Sequence, residues 1–297
     1  MIGAIVNRVH PVAVTNWSPA IADGVGPGLK AHLESGEVLW AEQLGFTLAP
    51  EEWRFIDPRW ADGRAKNISY DTGRGQIKGA IGNRADLDAL RTLMHRFHRQ
   101  ATGLIEKLLP GYAPQLRGAR TSLRLLPVAE RAGSWRKDDR RLHVDAFPSR
   151  PLRGWRILRV FTNVNLHGQP RRWRVGEPFA DLAARFWPRL ARPVPGAAAL
   201  LAALHITRGR RSAYDHYMLR LHDAMKADAR YQADAPQQQM DFPPGSTWIC
   251  FSDQTPHAAM AGQHLLEQTL YLPPQTLADP GHGPLAVLER LAGRSLV

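Results

Sequence analysis

The sequence contains a single cysteine, Cys250, in 297 residues. No internal disulfide can form, which fits a reducing compartment. No apolar run approaches the roughly 20 residues needed to cross a bilayer. The opening stretch, Met1 to Val14, is interrupted by Asn7, Arg8, His10 and Pro11. It shows no unbroken apolar centre and no small-residue cleavage site. The expectation is a cytoplasmic protein. Several catalytic signatures are also missing. There is no Gly-x-x-x-x-Gly-Lys phosphate loop, no Gly-x-Ser-x-Gly nucleophile turn and no His-Glu-x-x-His zinc helix. Acidic residues are scarce: 27 Asp and Glu face 39 Lys and Arg, giving a formal charge of +12. Such a balance favours an anionic partner. Neither zinc-finger spacing nor an RNA-binding aromatic motif is present, so nucleic acid is not the expected partner, and no protein partner is expected.

The strongest positive signal is Arg141-Leu142-His143-Val144-Asp145-Ala146-Phe147-Pro148. Residues two apart on a strand point to one face. His143 and Asp145 would therefore aim an imidazole and a carboxylate at one point. A third donor, His257, is offered by Ser252-Asp253-Gln254-Thr255-Pro256-His257-Ala258, just before another strand. Two histidines and one carboxylate suit a ferrous ion with three open positions, for oxygen and an α-keto acid cosubstrate. The same donors also bind zinc. The absent His-Glu-x-x-His motif argues against a zinc hydrolase.

Arginines crowd this motif. Arg131, Arg136, Lys137, Arg140 and Arg141 lead into it, and Arg150, Arg153 and Arg156 follow. Arg171, Arg172 and Arg174, then Arg208, Arg210 and Arg211, come later. A solvated surface would explain any one of them. The clustering points to an acidic ligand.

Periodicity sketches the rest. Leu87, Leu90, Met94, Phe97, Ala101, Leu104 and Leu108 form one apolar stripe, predicting a helix over about 85–108, with His95 and His98 solvated off it. Strands are expected at 36–40, 67–71, 121–126, 156–165, 246–252 and 264–272. Short helices are expected near 28–34, after Pro50 and over 284–291. An insertion at about 178–230 reads as helices at 178–189, 196–205 and 212–228. In the strand from Arg156 to Asn165, one face carries Ile157, Arg159, Phe161, Asn163 and Asn165. Arginine and amides among apolar groups suit the lining of a barrel that holds a polar ligand. The whole reads as one α+β domain over 1–297 with a β-barrel or double-sheet core.

A 2-oxoglutarate cosubstrate needs a cation for its far carboxylate. Many such enzymes carry one about ten residues past the last histidine, but Gln263-His264-Leu265-Leu266-Glu267-Gln268 contains no arginine or lysine. Arg159 is the first candidate, mid-strand on the polar-lined face, and Arg124 the second. A guanidinium fork on a rigid strand matches a carboxylate.

The run His143-Val144-Asp145-Ala146-Phe147-Pro148-Ser149-Arg150-Pro151 resembles the Kdo hydroxylase family. So do Arg156 to Asn165, Asp253 to Ala258 and Pro284 to Arg294. The resemblance spans nearly the whole chain. It implies a double-stranded β-helix (jelly-roll, cupin-like) core with flanking helices. It also implies an Fe(II)- and 2-oxoglutarate-dependent dioxygenase that hydroxylates carbon 3 of the outer Kdo sugar of a Kdo–lipid A precursor. On that resemblance His143, Asp145 and His257 are the iron ligands, and Arg124 and Arg159 surround the 2-oxoglutarate carboxylate. Arg141, Arg150 and Arg153 are candidate substrate contacts. A bilayer substrate also suggests peripheral contact with the inner membrane. The alternatives are a related hydroxylase acting on a protein or small molecule, and a non-catalytic barrel that binds an acidic glycan.

Overall fold

The computed structural model describes residues 7–19, 25–130 and 134–297; Arg131 of the basic cluster lies outside them. Eleven strands are present among the described residues. They are β1 (Val9–Pro11), β2 (Val38–Ala41), β3 (Ile68–Asp71), β4 (Gln76–Lys78), β5 (Arg117–Arg124), β6 (Arg156–Asn163), β7 (Arg171–Gly176), β8 (Gln237–Phe242), β9 (Thr247–Phe251), β10 (His257–Ala261) and β11 (Leu265–Leu272). The larger sheet runs β1-β2-β9-β6-β11-β5-β3-β4, and the smaller runs β10-β7-β8. Among the described strands only the β1–β2 pair is parallel. A backbone bridge between His143 and His257 adds the metal motif to the free edge of β10. Two antiparallel sheets whose strands alternate along the chain make the double-stranded β-helix.

Seven α-helices among the described residues flank this core: α1 (Val25–Glu34), α2 (Arg84–Leu108), α3 (Phe179–Phe186), α4 (Ala197–Ala203), α5 (Ala213–Ala227), α6 (Ala229–Asp234) and α7 (Pro284–Ala292). Asn83 caps α2, its Oδ1 accepting the Asp86 N–H at 2.9 Å. From Leu90 onward the α2 stripe, widened by Leu93 and Ile105, is buried in the same core cluster as Leu123 of β5 and Leu266 and Leu270 of β11. Each fully buried Leu or Phe contributes about 1.5–3 kcal/mol. His98 departs from the solvated reading: it is half-buried, with its ring against Gly118.

The other face of β6 looks into the barrel, where Phe161, Trp173, Phe242 and Trp248 close one end. The Phe242 and Trp248 rings stack with centroids 4.2 Å apart. Helices α3 to α6 fall between β7 and β8. Several of them pack behind the metal motif, where Leu142 and Val144 are buried among Phe179, Tyr214, Leu221 and Met225. His143 and Asp145 alternate with those two apolar residues and face the barrel instead. The insertion therefore supports the site from outside.

Candidate metal centre and cosubstrate pocket

His143 and His257 form a hydrogen-bonded antiparallel pair, N to O distances 3.0 and 2.9 Å. Side chains directly opposite in such a pair share a face. Beyond this single bridge the motif is irregular rather than the expected strand. The chain crosses to the end of β9, where the Asp145 N–H donates to the Ser252 carbonyl at 2.8 Å. That step brings Asp145 beside both histidines. One donor atom from each of the three residues lies within 4.8 Å of the others.

The imidazoles are oriented alike. Nδ1 of His143 donates to the Arg141 carbonyl at 2.7 Å, and Nδ1 of His257 to the Thr255 carbonyl at 2.9 Å. A carbonyl only accepts, so Nδ1 carries the proton in both rings. Nε2 is left as the donor toward a metal, the usual outer bond of a ligating histidine. The His257 ring also stacks on Trp173, centroids 5.1 Å apart. Burial, followed by neighbouring positive groups, keeps His143 well below its ordinary pKa; burial lowers His257 too. Both are neutral at physiological pH, as ligation requires. Burial alone would raise the Asp145 carboxyl. The Arg159 guanidinium and the two imidazoles outweigh it and hold Asp145 well below the usual carboxylate range. Arg159 lies 2.9 Å from Asp145 Oδ2, yet that buried oxygen has no aligned hydrogen bond among the described residues. Two Nε2 atoms and an underused carboxylate fit a divalent metal.

A second cluster, His10, His32 and Glu37, has the same residue types. There both imidazoles already contact Glu37 Oε2, His32 at 2.8 Å, and Arg8 lies 3.5 Å from Oε1. The Glu37 carboxylate is already engaged by His32 and Arg8, so this is the poorer cation site.

Next to the metal donors, Arg159, Glu267 and Arg124 form a chain across three strands. In the register of the large sheet, Leu265 faces Arg124 of β5 and Thr269 faces Arg159 of β6. Glu267 lies between them on the same face of β11, diagonal to both arginines and within reach of their long side chains. It pairs with Arg159 and Arg124, the Nε of Arg124 at 2.9 Å. Glu267 stands at the position, ten past His257, where the customary cation was sought. An acid holds that position, flanked by the arginines of the strands on either side. Arg159 keeps a buried Nε with no partner among the described residues. Arg124 also reaches Asp139 at 3.4 Å, and Lys66 meets the same acid at 2.7 Å.

Two cavities share Arg124, Phe147 and Arg159. The smaller, about 190 Å³, contains the three metal donors and is walled by Trp173 and Arg171. The larger, about 420 Å³, is lined by Arg120, Arg124, Arg150, Arg159 and Arg208, with Glu267 its only acid. Arg150 thus joins the site. Arg141 turns away, its guanidinium donating to the Lys226 carbonyl at 2.7 Å. Arg153 donates to the Arg210 carbonyl at 3.1 Å, and neither residue lines either cavity. Arg120, Lys66 and Tyr271 had no sequence signal that singled them out. Cys250 is buried opposite Arg159 and its thiol is pushed up by burial, so it is inert.

The family model for 3-deoxy-D-manno-oct-2-ulosonic acid (Kdo) hydroxylase matches residues 16–295. Two solved structures of the Kdo hydroxylase KdoO, a non-haem Fe(II) α-ketoglutarate-dependent dioxygenase, are similar to the chain. The cobalt(II) complex is 46% identical, with TM-score 0.96, covering 98% of this chain and 97% of that one. The complex with α-ketoglutarate and Fe(III) is 45% identical, with TM-score 0.94 and 97% of each chain covered. No curated protein matches in a sequence search. Fold and donor set place the chain among the non-haem Fe(II)- and 2-oxoglutarate-dependent dioxygenases. Within that class it belongs to the Kdo hydroxylase family.

Proposed function

We propose that the chain hydroxylates carbon 3 of the outer Kdo sugar of a Kdo–lipid A precursor, giving the octulosonic acid form. His143, Asp145 and His257 hold the Fe(II), and Arg159, seconded by Arg124, receives the far carboxylate of 2-oxoglutarate. The observation that carries this reading is the convergence of two Nε2 atoms and Asp145 beside a cavity lined by five arginines and one acid. The bound iron supplies the oxygen activation needed to replace an unactivated C–H bond. The protein supplies orientation and charge. The carbonyls of Arg141 and Thr255 fix the histidine rings. Arg159 keeps Asp145 ionised, and its buried Nε offers a hydrogen bond to a carboxylate. Arg150, Arg120 and Arg208 face the space where the sugar acid and lipid phosphates would lie. Arg150 is the favoured substrate contact of the three arginines named from sequence. A substrate anchored in a bilayer implies work at the cytoplasmic face of the inner membrane.

The test is anaerobic loading with Fe(II), 2-oxoglutarate and a Kdo-bearing lipid A precursor, followed by oxygen and mass spectrometry. The expected product is heavier by about 16 mass units, one oxygen, and is absent with His143→Ala. Succinate without product would move the search to other substrates. Neither product from a folded, iron-loaded protein would defeat the enzyme reading and favour glycan binding.

A further inference from the structure

We propose that the segment 193–211, built around α4, docks onto an anionic phospholipid bilayer and brings the arginine-lined cavity to the lipid surface. The proposal takes its purpose from the glycolipid reading above, but it stands on its own observations.

The first is an unusual concentration of exposed apolar side chains. Val194, Leu200, Leu204 and Ile206 are 68, 60, 59 and 55% exposed. They are four of the eight large hydrophobic residues exposed among the described residues, and all fall within this one segment. Leu200 and Leu204 are one helical turn apart, the Leu204 N–H donating to the Leu200 carbonyl at 2.9 Å, so they share a face. No residue of α4 is fully buried, so these side chains are not needed to close a core.

The second observation is charge. Between Asp181 and Asp215 the chain carries six arginines and no acidic residue. Among the described residues Arg192, Arg208 and Arg210 have no acidic partner. An apolar segment flanked in sequence by arginines without acidic partners matches a surface with acyl chains beneath a layer of negative headgroups. An acidic protein partner would satisfy the arginines but gives the exposed leucines no particular destination.

The third observation is continuity with the site. Arg208 lines the larger cavity, and its N–H donates to the Ser149 carbonyl at 2.9 Å. The Arg211 guanidinium donates to the Pro148 carbonyl. Pro148 and Ser149 also line that cavity. The segment thus leads directly from its apolar tip to the cavity wall. A lipid-anchored sugar rising from the bilayer beside α4 would meet the arginines without leaving its membrane.

The experiment compares the intact iron-loaded protein with the doubly substituted Leu200→Glu, Leu204→Glu form. Both sites are exposed and lie outside the cavity lining, so the fold is retained. Sedimentation uses vesicles of phosphatidylcholine alone or with about one-third phosphatidylglycerol. Wild type is expected to pellet with the anionic vesicles, and the variant to bind about tenfold more weakly. Turnover is then read on two substrates, the Kdo lipid in vesicles and a water-soluble deacylated fragment. The variant should lose activity on the first through a raised KM and keep it on the second. Wild type that ignores anionic vesicles, or binds pure phosphatidylcholine equally, would overturn the proposal. So would a variant that binds like wild type, or one that loses turnover on the soluble fragment. If neither Kdo substrate is hydroxylated but vesicle binding still falls in the variant, docking is supported and the substrate reading fails.

Discussion

Arg159 is asked to do two things at once. It lies 2.9 Å from Asp145 and pairs with Glu267, and in the proposed reading it also takes the cosubstrate carboxylate. A planar guanidinium can serve three acceptors because its donors point in three directions; a single ammonium cannot do so with fixed geometry. Arg159→Lys is therefore expected to raise the KM for 2-oxoglutarate by about ten- to a hundred-fold, the worth of one charge-assisted hydrogen bond at roughly 1.5–3 kcal/mol. Steady-state succinate release against 2-oxoglutarate concentration measures it, and an unchanged KM would remove Arg159 from the role. A second residue carries a pH signature. His264 sits at positive φ (59°) with its Nδ1 3.3 Å from Asn165 Nδ2, and its pKa falls from 6.5 to about 4 through burial and then the nearby His167. Unfolding restores the ordinary value, so below about pH 6.5 the unfolded chain binds the extra proton first. Stability from this group is complete above that pH and is lost as pH falls through about 4. His264→Asn, whose side chain tolerates the left-handed backbone, should flatten the fall between those two values in urea titrations. An identical slope would rule His264 out as its source.

At the level of elements, the loop between β9 and β10 delivers His257. Arg156 of β6 anchors it from below: its Nε lies 2.7 Å from Asp253 Oδ2 and its Nη2 2.6 Å from Gln254 Oε1, all of them buried. Arg156→Met would leave Asp253 as an uncompensated buried charge. The expected cost is about 3–5 kcal/mol in denaturant unfolding, with weaker iron binding because the loop positions a ligand. A loss below about 1 kcal/mol would mean that the pair is dispensable. The sequence could not assign Arg156 this part, because in one dimension it is another member of the basic cluster. The same limit decided which elements were legible. Helix α2 and strands β6 and β11 announce themselves through long apolar periods. Strands β7, β8 and β10 do not. Arg171–Gly176 alternates arginine with buried Trp173 and Val175, Gln237–Phe242 is a polar edge strand, and His257–Ala261 is mostly alanine. Pairing within the small sheet makes them strands, and their own propensities do not predict it. The convergence of His143, Asp145 and His257 was legible because two of them are two residues apart and the third precedes the clear strand β11. The Glu267 link between Arg124 and Arg159 was not, because it depends on the register of three strands distant in sequence.

For the whole molecule, the formal charge of +12 is distributed with direction. The end of the arginine-rich segment meets the wall of the larger cavity, Arg208 as one of its five arginines and Arg211 through the carbonyl of Pro148. The acids that accompany the site, Asp139, Asp145 and Glu267, are at least partly buried and already paired with Lys66, Arg124 and Arg159. An approaching anion therefore meets a positive mouth whose field extends into solvent by about the Debye length, roughly 10 Å at 0.1 M salt. Association with an anionic lipid surface should be the step that salt attacks, because the metal donors and their hydrogen bonds lie inside and are screened little. With 2-oxoglutarate held saturating, kcat/KM for the Kdo lipid in vesicles is expected to fall on the order of tenfold between about 0.02 M and about 0.5 M salt. The kcat should be nearly constant, and iron occupancy should not change. Equal losses in kcat and kcat/KM would place the salt-sensitive contacts in the reacting complex itself. That outcome would count against steering by this face and for a direct role of the cavity arginines in the chemical step.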